Sequence, residues 1–240
     1  MLQGHVVLIT GAARGIGRYI AQTFVETGAK LAVADIQPME KVTAELRSEG
    51  AEAIGVHVDV RDEGSVKAMM ERVVQEFGRI DVLVNDAAIP THSSWEPLWP
   101  RIRDMEKAFF DRIMDTNLGG TFLCTKHVLP IMEKQRSGHI LNMYGGGNPN
   151  TFGACVYVAS KDAVRTLTRY VAEEEREWNI CIAALSPGGE IATEDAPEDV
   201  RQRLPGVDLV ANRFVLAAQA GMEVSGQLLN LRDGKLVVVS

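Results

Sequence analysis

The feature that most limits the fold of this chain is an alternation. Short apolar runs, "HVVLIT", "KLAVADI", "AIGVHVDV", "IDVLVNDAA", "HILNMY", "ICIAALSPG" and "GQLLNL", are separated by longer segments of helical period. Most runs are apolar at consecutive positions, not at every second one, which is the pattern of parallel strands covered on both faces. The intervening segments carry helix punctuation. Gly28 closes the stretch Gly15 to Thr27, and in Asp62 to Phe77 the residues Val66, Met69, Val73 and Phe77 share a face that Gly78 ends. Repeated β-α units predict an α/β fold built on one doubly wound parallel sheet of about seven strands, with helices on both faces. At 240 residues and 46% hydrophobic the chain can bury a substantial core, and no linker or repeat divides it, so one domain over residues 1–240 is expected. Two stretches break the alternation: Ile89 to Arg103, with Trp95, Trp99 and three prolines, and Gly188 to Val207. Both follow strand ends, where such sheets hold ligands.

Composition removes several partners. A formal net charge of −7, with lysines and arginines scattered along the chain, opposes a phosphate backbone, so no nucleic-acid partner is expected. Cys124, Cys155 and Cys181 are widely spaced and include no C-x-x-C pair. They suggest neither a disulfide framework nor a zinc site; no metal is expected, and a reducing cytoplasm is the simplest compartment. The start "MLQGHVVLIT" has only a short apolar run before glycines and Arg14, and reads as a first strand, not as a signal peptide or membrane span.

"TGAARGIG", Thr10 to Gly17, stands where the first strand meets the first helix. Gly11, Gly15 and Gly17 let the backbone turn tightly and approach a pyrophosphate, while the helix N-terminus offers N–H groups and the positive end of its dipole. Asp35 follows at the end of the second strand, near the interval expected of a ribose-binding acid, and the combination predicts a dinucleotide site. The Asp35 carboxylate can accept a 2′-hydroxyl and would repel a 2′-phosphate, which favours NAD over NADP. Arg14 pulls the other way, unless it is a solvated loop residue or a pyrophosphate partner. Asp59, after the third strand, either bonds the adenine amino group or caps a turn.

Later in the chain "YVASK" sets Tyr157 and Lys161 four residues apart, on one helix face, with the ammonium near the phenol oxygen. A free phenol titrates near ~10; a neighbouring cation favours phenolate and brings the group toward neutral pH, where it can exchange a proton with an alcohol or carbonyl. In order along the chain, "TGAARGIG" resembles the pattern TGxxxGIG, "NDAA" the pattern NNAG, and "TNLGG" holds Asn117 where a catalytic asparagine falls. "YVASK" matches YxxxK, "SPGG" a Pro-Gly turn, and "SGQLLNLRDG" a closing strand. Over nearly its whole length the chain thus resembles the compact, single-domain branch of the short-chain dehydrogenase/reductase family.

The resemblance implies a Rossmann-like fold and an NAD(H)-dependent oxidoreductase that moves hydride between nicotinamide C4 and a small or medium alcohol/carbonyl substrate. Tyr157 would be the general acid/base, Lys161 would also bond the nicotinamide ribose, and Asn117 would hold a water that relays protons. Cofactor contacts are implied for Gly11, Arg14, Gly15, Ile16, Gly17, Asp35, Asp59, Val60, Asn85, Ala87, Tyr157, Lys161, Pro187 and Gly188. A homodimer or homotetramer is implied as well, in which the long helix from Phe109 to Met132 and the Tyr157 helix pair with their counterparts, and the tail "KLVVVS" is available for a further contact.

One departure bears on the chemistry. Aligning "ILNMYG" with the family's I-x-N-I-S-S places Gly145 at the catalytic serine. Removing such a hydrogen-bond donor typically costs about 10²–10³ in rate, which weakens an enzyme without silencing it. Tyr144 is expected to point to the opposite face of the strand as a packed aromatic. If the glycines bend the chain, Tyr144, Asn148 or Thr151 can enter the cleft instead. Cys155 either lines the substrate side or is a small buried residue, and His92, Ser93 and Ser94 either supply a donor from their loop or are surface polar residues. Ala88 replaces the last glycine of NNAG, Thr193 stands one residue out of the PGxxxT register, and Thr193 to Phe214 is short for a substrate lid. The leading expectation is an oxidoreductase with an atypical site; the alternative is a weakly catalytic or inactive dinucleotide-binding protein serving as a sensor or assembly subunit. A sugar-nucleotide epimerase is disfavoured, because the chain lacks the length for a separate nucleotide-sugar domain.

Overall fold

A computed structural model describes residues 2–90, 99–146, 152–189, 191–193 and 196–239, without the side chains of residues 208 and 209. The first half runs β1 (Val6–Thr10), α1 (Gly15–Val25), β2 (Lys30–Asp35), α2 (Glu40–Ser48), β3 (Ala53–His57), α3 (Glu63–Phe77), β4 (Val82–Asn85), α4 (Lys107–Met114) and α5 (Gly120–Gln135). It continues through β5 (Gly138–Met143), α6 (Cys155–Glu174), β6 (Ile180–Leu185), α7 (Glu198–Arg201), α8 (Asp208–Ala217), β7 (Leu228–Arg232) and β8 (Lys235–Val238). Each of the seven apolar runs forms a strand. They pair in the order β3-β2-β1-β4-β5-β6-β7, all parallel, and β8 adds an antiparallel edge.

The sheet therefore has eight strands where about seven were expected. The eighth comes from "KLVVVS", whose preceding Asp233 (φ 49°) and Gly234 (φ 72°) both take the left-handed conformation of a tight hairpin. The tail is thus paired within its own chain.

The consecutive apolar residues of β1, β4 and β6 are buried throughout, as strands covered on both faces must be. On one side Phe24 of α1, Val42 and Leu46 of α2, and Phe214 of α8 close over Val7, Ile9, Leu31 and Val33. On the other, Val66, Met69 and Val73 of α3 and Val128 and Met132 of α5 close over Leu8, Ala32, Leu83 and Ile140. Helix α3 ends at Gly78 (φ 80°), as its sequence announces, and at its start Asp62 accepts from the Ser65 N–H at 2.6 Å.

The long helix expected from Phe109 to Met132 is present as a contiguous helical span with a change of winding inside it. A π-helical turn, Asp115–Gly119, lies between α4 and α5; its i→i+5 bonding widens the helix locally, and Asn117 within it is fully buried. Strand order reverses at β1, between β2 and β4, so the C-terminal ends of β1 and β4 flank the crevice where doubly wound sheets bind ligands. No helix among the described residues is long and apolar enough to cross a membrane.

Candidate active site

Five segments meet at that crevice: the turn between β1 and α1, and the residues following β2, β4, β5 and β6. In the first, Gly11 (φ 74°) lies so close to the chain after β4 that a Cβ would stand 2.7 Å from the Ala87 backbone. A Cβ on Gly17 would collide with the Gly11 carbonyl and come within 2.7 Å of Asp86 Oδ2. Gly15 (φ 57°) takes the left-handed conformation, with the Thr193 methyl 3.9 Å from where its Cβ would be. Gly11 and Gly17 therefore serve close packing, and the Asp86 side chain meets the start of α1, where Arg14 at the N-cap position makes no side-chain capping bond.

Asp35 is tied to this loop. Its Oδ2 accepts from the Ala13 N–H at 3.1 Å and its Oδ1 from the Gln37 N–H at 2.9 Å. Arg14 is exposed and Ile16 half-buried. Ala87 donates its N–H to Thr10 Oγ1 at 3.3 Å. Asp59 is engaged by Arg61 through Nε at 2.9 Å and Nη2 at 2.6 Å, and this bond holds its carboxyl below the usual range. Val60 is buried against Gly120 of α5. The Asn85 side chain turns into the sheet, donating to Asn142 Oδ1 at 2.8 Å. After β6, Pro187 is half-buried and Gly188 (φ 83°) donates to Ser186 Oγ at 3.1 Å, while Arg213 of α8 donates to the Ser186 carbonyl.

The titratable centre lies across the cleft. Lys161 is almost fully buried and donates to the Met143 carbonyl at 3.0 Å, with its ammonium 5.9 Å from the Tyr157 ring centre. Asn117 accepts from the Ile89 N–H at 2.8 Å and donates to the Ile89 carbonyl at 3.1 Å and to Ser160 Oγ at 3.0 Å. Ser160 in turn donates to the Tyr157 carbonyl at 2.6 Å, so the π turn, the loop after β4 and α6 are joined through two polar side chains. Gly145 is buried directly beneath the phenol. A Cβ there would overlap the Tyr157 hydroxyl and stand 2.9 Å from Cζ.

Tyr144 does not enter this cluster as a donor, because its hydroxyl is given to Asp162 at 2.9 Å. Cys155 is exposed. His92, Ser93, Ser94, Trp95, Asn148 and Thr151 lie outside the described residues. Trp99 borders the segment leading into α6: a Cβ on Gly153 would meet its Cβ at 2.8 Å, and its ring packs edge-on to Phe109 with centres 5.0 Å apart.

Electrostatics here differ from the simple expectation for Tyr157. Burial, then Asp86 and Tyr144, push its phenol above the ordinary value, so the phenol is neutral at physiological pH. Burial also brings the Lys161 ammonium down to about 8, against the pull of Asp86. Asp86 itself is pushed up to about 7 by burial and by Asp35, although Lys161 and the Gly17 N–H oppose the shift. Reading the sequence missed Asp86. The signal was present, since "NDAA" has a carboxylate where the pattern NNAG has its second asparagine.

Residues 5–212 match the model of a family described as short chain dehydrogenase. Among curated proteins, secoisolariciresinol dehydrogenase of Forsythia intermedia is 38% identical over 200 residues, 78% of this chain and 66% of that protein. The 3-oxoacyl-[acyl-carrier-protein] reductase of Staphylococcus aureus is 32% identical over an alignment of 246 residues, covering 95% of this chain and 96% of its own. Among solved structures, levodione reductase superposes with a TM-score of 0.83 at 30% identity, covering 97% of each chain. NAD+-bound xylitol dehydrogenase superposes with a TM-score of 0.84 at 25% identity, covering 96% of this chain and 98% of its own.

Proposed function

The chain belongs to the short-chain dehydrogenase family, and from that premise we propose that it is an NAD(H)-dependent oxidoreductase acting on a small or medium alcohol/carbonyl pair. The observation that carries this reading is the meeting of Tyr157, Lys161 and Asn117 beside the glycine loop of β1 and α1. The cleft suits a dinucleotide: Gly11 and Gly17 let the loop pack closely where β1 meets α1, and Asp35, bonded to the Ala13 N–H, stands at the neighbouring strand end. The Gly11–Gly17 loop would hold the pyrophosphate, Asp35 the adenosine ribose, Lys161 the nicotinamide ribose, and Pro187 and Gly188 the far side of the ring. When bound, the cofactor supplies the hydride donor or acceptor.

The protein's own part is proton transfer and positioning. Tyr157, neutral when the cleft is empty, is set to donate a proton to a carbonyl oxygen, and the reverse reaction needs a positive charge near the phenol to lower its titration point. Lys161 provides one such charge from a site anchored on Met143. Asn117 braces Ile89 against α6 and so fixes the wall of the cleft. Asp35 favours NAD over NADP. Three unpaired cysteines suit a reducing, cytoplasmic setting, and assembly as a homodimer or homotetramer is part of the same reading.

Purified protein with NADH and a panel of ketones, or NAD+ and secondary alcohols, tests the proposal. Tyr157→Phe should lower turnover by about 10²-fold or more while leaving NADH binding within about threefold. Binding without turnover on any substrate, with no effect of Tyr157→Phe, would replace the enzyme reading by that of a dinucleotide sensor. The absence of a side chain at Gly145 is the observation that favours this second reading.

A further inference from the structure

The mechanism above makes no use of Asp86. This side chain stands just beyond β4, between the glycine loop and α6. From α1 the Gly17 N–H bonds it, from α6 Lys161 presents a positive charge and Tyr157 a phenol, and from the end of β2 Asp35 presents a second carboxylate. Its Oδ2 lies 2.7 Å from the place a Cβ on Gly17 would take, so it sits at the very start of α1. The residue is half-buried at this place.

We propose that Asp86 is the proton-binding residue of the cofactor site: a dinucleotide seated on the Gly11–Gly17 loop is taken up together with a proton that stays on Asp86 while the dinucleotide is bound. The inference rests on the dinucleotide reading given above. A pyrophosphate is drawn to a helix N-terminus by N–H groups and the dipole, and here a carboxylate already draws on that end of α1 through Gly17. Two anions at one helix end repel each other. Protonation removes the repulsion and leaves a neutral acid that still accepts from Gly17.

The sign follows from linkage. With the carboxyl pushed up to about 7 before binding, part of the population is ionised at neutral pH. An arriving anion raises the value further, so the bound state holds more protons and affinity falls as pH rises above neutrality. Lys161, brought down to about 8, titrates in the upper part of the same range, and the anion favours its charged form too. The positive ring of oxidised nicotinamide opposes the effect, so NADH should draw in more proton than NAD+.

Calorimetric titration of the full chain with NADH at pH 7.5, in two buffers of different ionisation enthalpy, counts the protons, and difference infrared spectra show whether a carboxylic-acid C=O band appears on binding. The expected result is uptake of about half a proton or more per NADH, a new carboxylic-acid band, and a Kd that weakens about fivefold or more from pH 6.5 to 8. Asp86→Asn should bind NADH without the band and with a markedly flatter pH dependence. Tight NADH binding by the unaltered protein with no proton uptake, uptake without the band, or a band that survives in Asp86→Asn would each overturn the role of Asp86 and leave the dinucleotide reading standing. Failure of both NADH and NAD+ to bind the unaltered protein at any pH would overturn the dinucleotide reading, and this proposal with it.

Discussion

Gly145 and Tyr157 compete for one space. A reading of the sequence treats Gly145 as a missing hydroxyl, but the phenol stands where that side chain would begin, so Gly145→Ser must displace the residue proposed as the acid/base. We expect turnover to fall and stability to drop by about 1–3 kcal/mol, as for an overpacked core position. Kinetics on a ketone panel together with urea unfolding check this; a tenfold gain in turnover would instead favour a site that lacks only its serine. At Asp35 the carboxylate is held between the Ala13 and Gln37 N–H groups, beside the loop it would help to load. NADH should therefore bind at least about tenfold more tightly than NADPH, a difference of about 1.4 kcal/mol. Equal affinities by fluorescence titration would show that Arg14 decides the preference. Tyr157, Lys161 and Asp35 were legible because their spacing within a helix or after a strand places them. The depressed lysine and raised phenol were not, since both arise from burial by segments distant in sequence.

Among the elements, the α4–α5 connection shows how far periodicity reaches. Apolar spacing from Phe109 to Met132 reads as one helix, and only the π turn brings Asn117 to Ile89 and Ser160. The insertion follows from tertiary contacts: a buried amide that satisfies both backbone groups of Ile89 supports a turn that local propensity does not favour. Asn117→Ala should therefore destabilise the protein by about 2–3 kcal/mol, by leaving buried polar groups without partners. Urea denaturation measures the effect, and a loss below about 0.5 kcal/mol would show that the turn does not depend on this side chain. The C-terminal end of α3 was readable in advance, because Gly78 acts on the backbone next to it.

For the whole molecule, exposed aromatic residues on three helices bear on assembly. Phe110 of α4, Phe122 of α5 and Tyr170 of α6 are 37%, 48% and 67% exposed. Apolar surface of this kind on adjacent helices suits a second copy, so sedimentation at micromolar concentration should show a dimer or larger, and Phe122→Glu should shift it toward monomer. A monomer for the unaltered chain would overturn the assembly reading. The tail "KLVVVS" pairs with β7 through the Asp233-Gly234 hairpin and forms the edge of the sheet, so its outer side remains available for the further contact read from the sequence. The sequence by itself determined the βα alternation, the parallel sheet, the glycine loop and the Tyr157–Lys161 pair, because each depends on residues within a few positions of one another. Tertiary structure decided the inward turn of Asn117, the phenol lodged over Gly145 and the carboxyl of Asp86 set against Gly17. Those depend on packing and dielectric, which exist only when strands 75 residues apart, such as Val6 and Asp81 joined by a 2.9 Å bond, lie side by side.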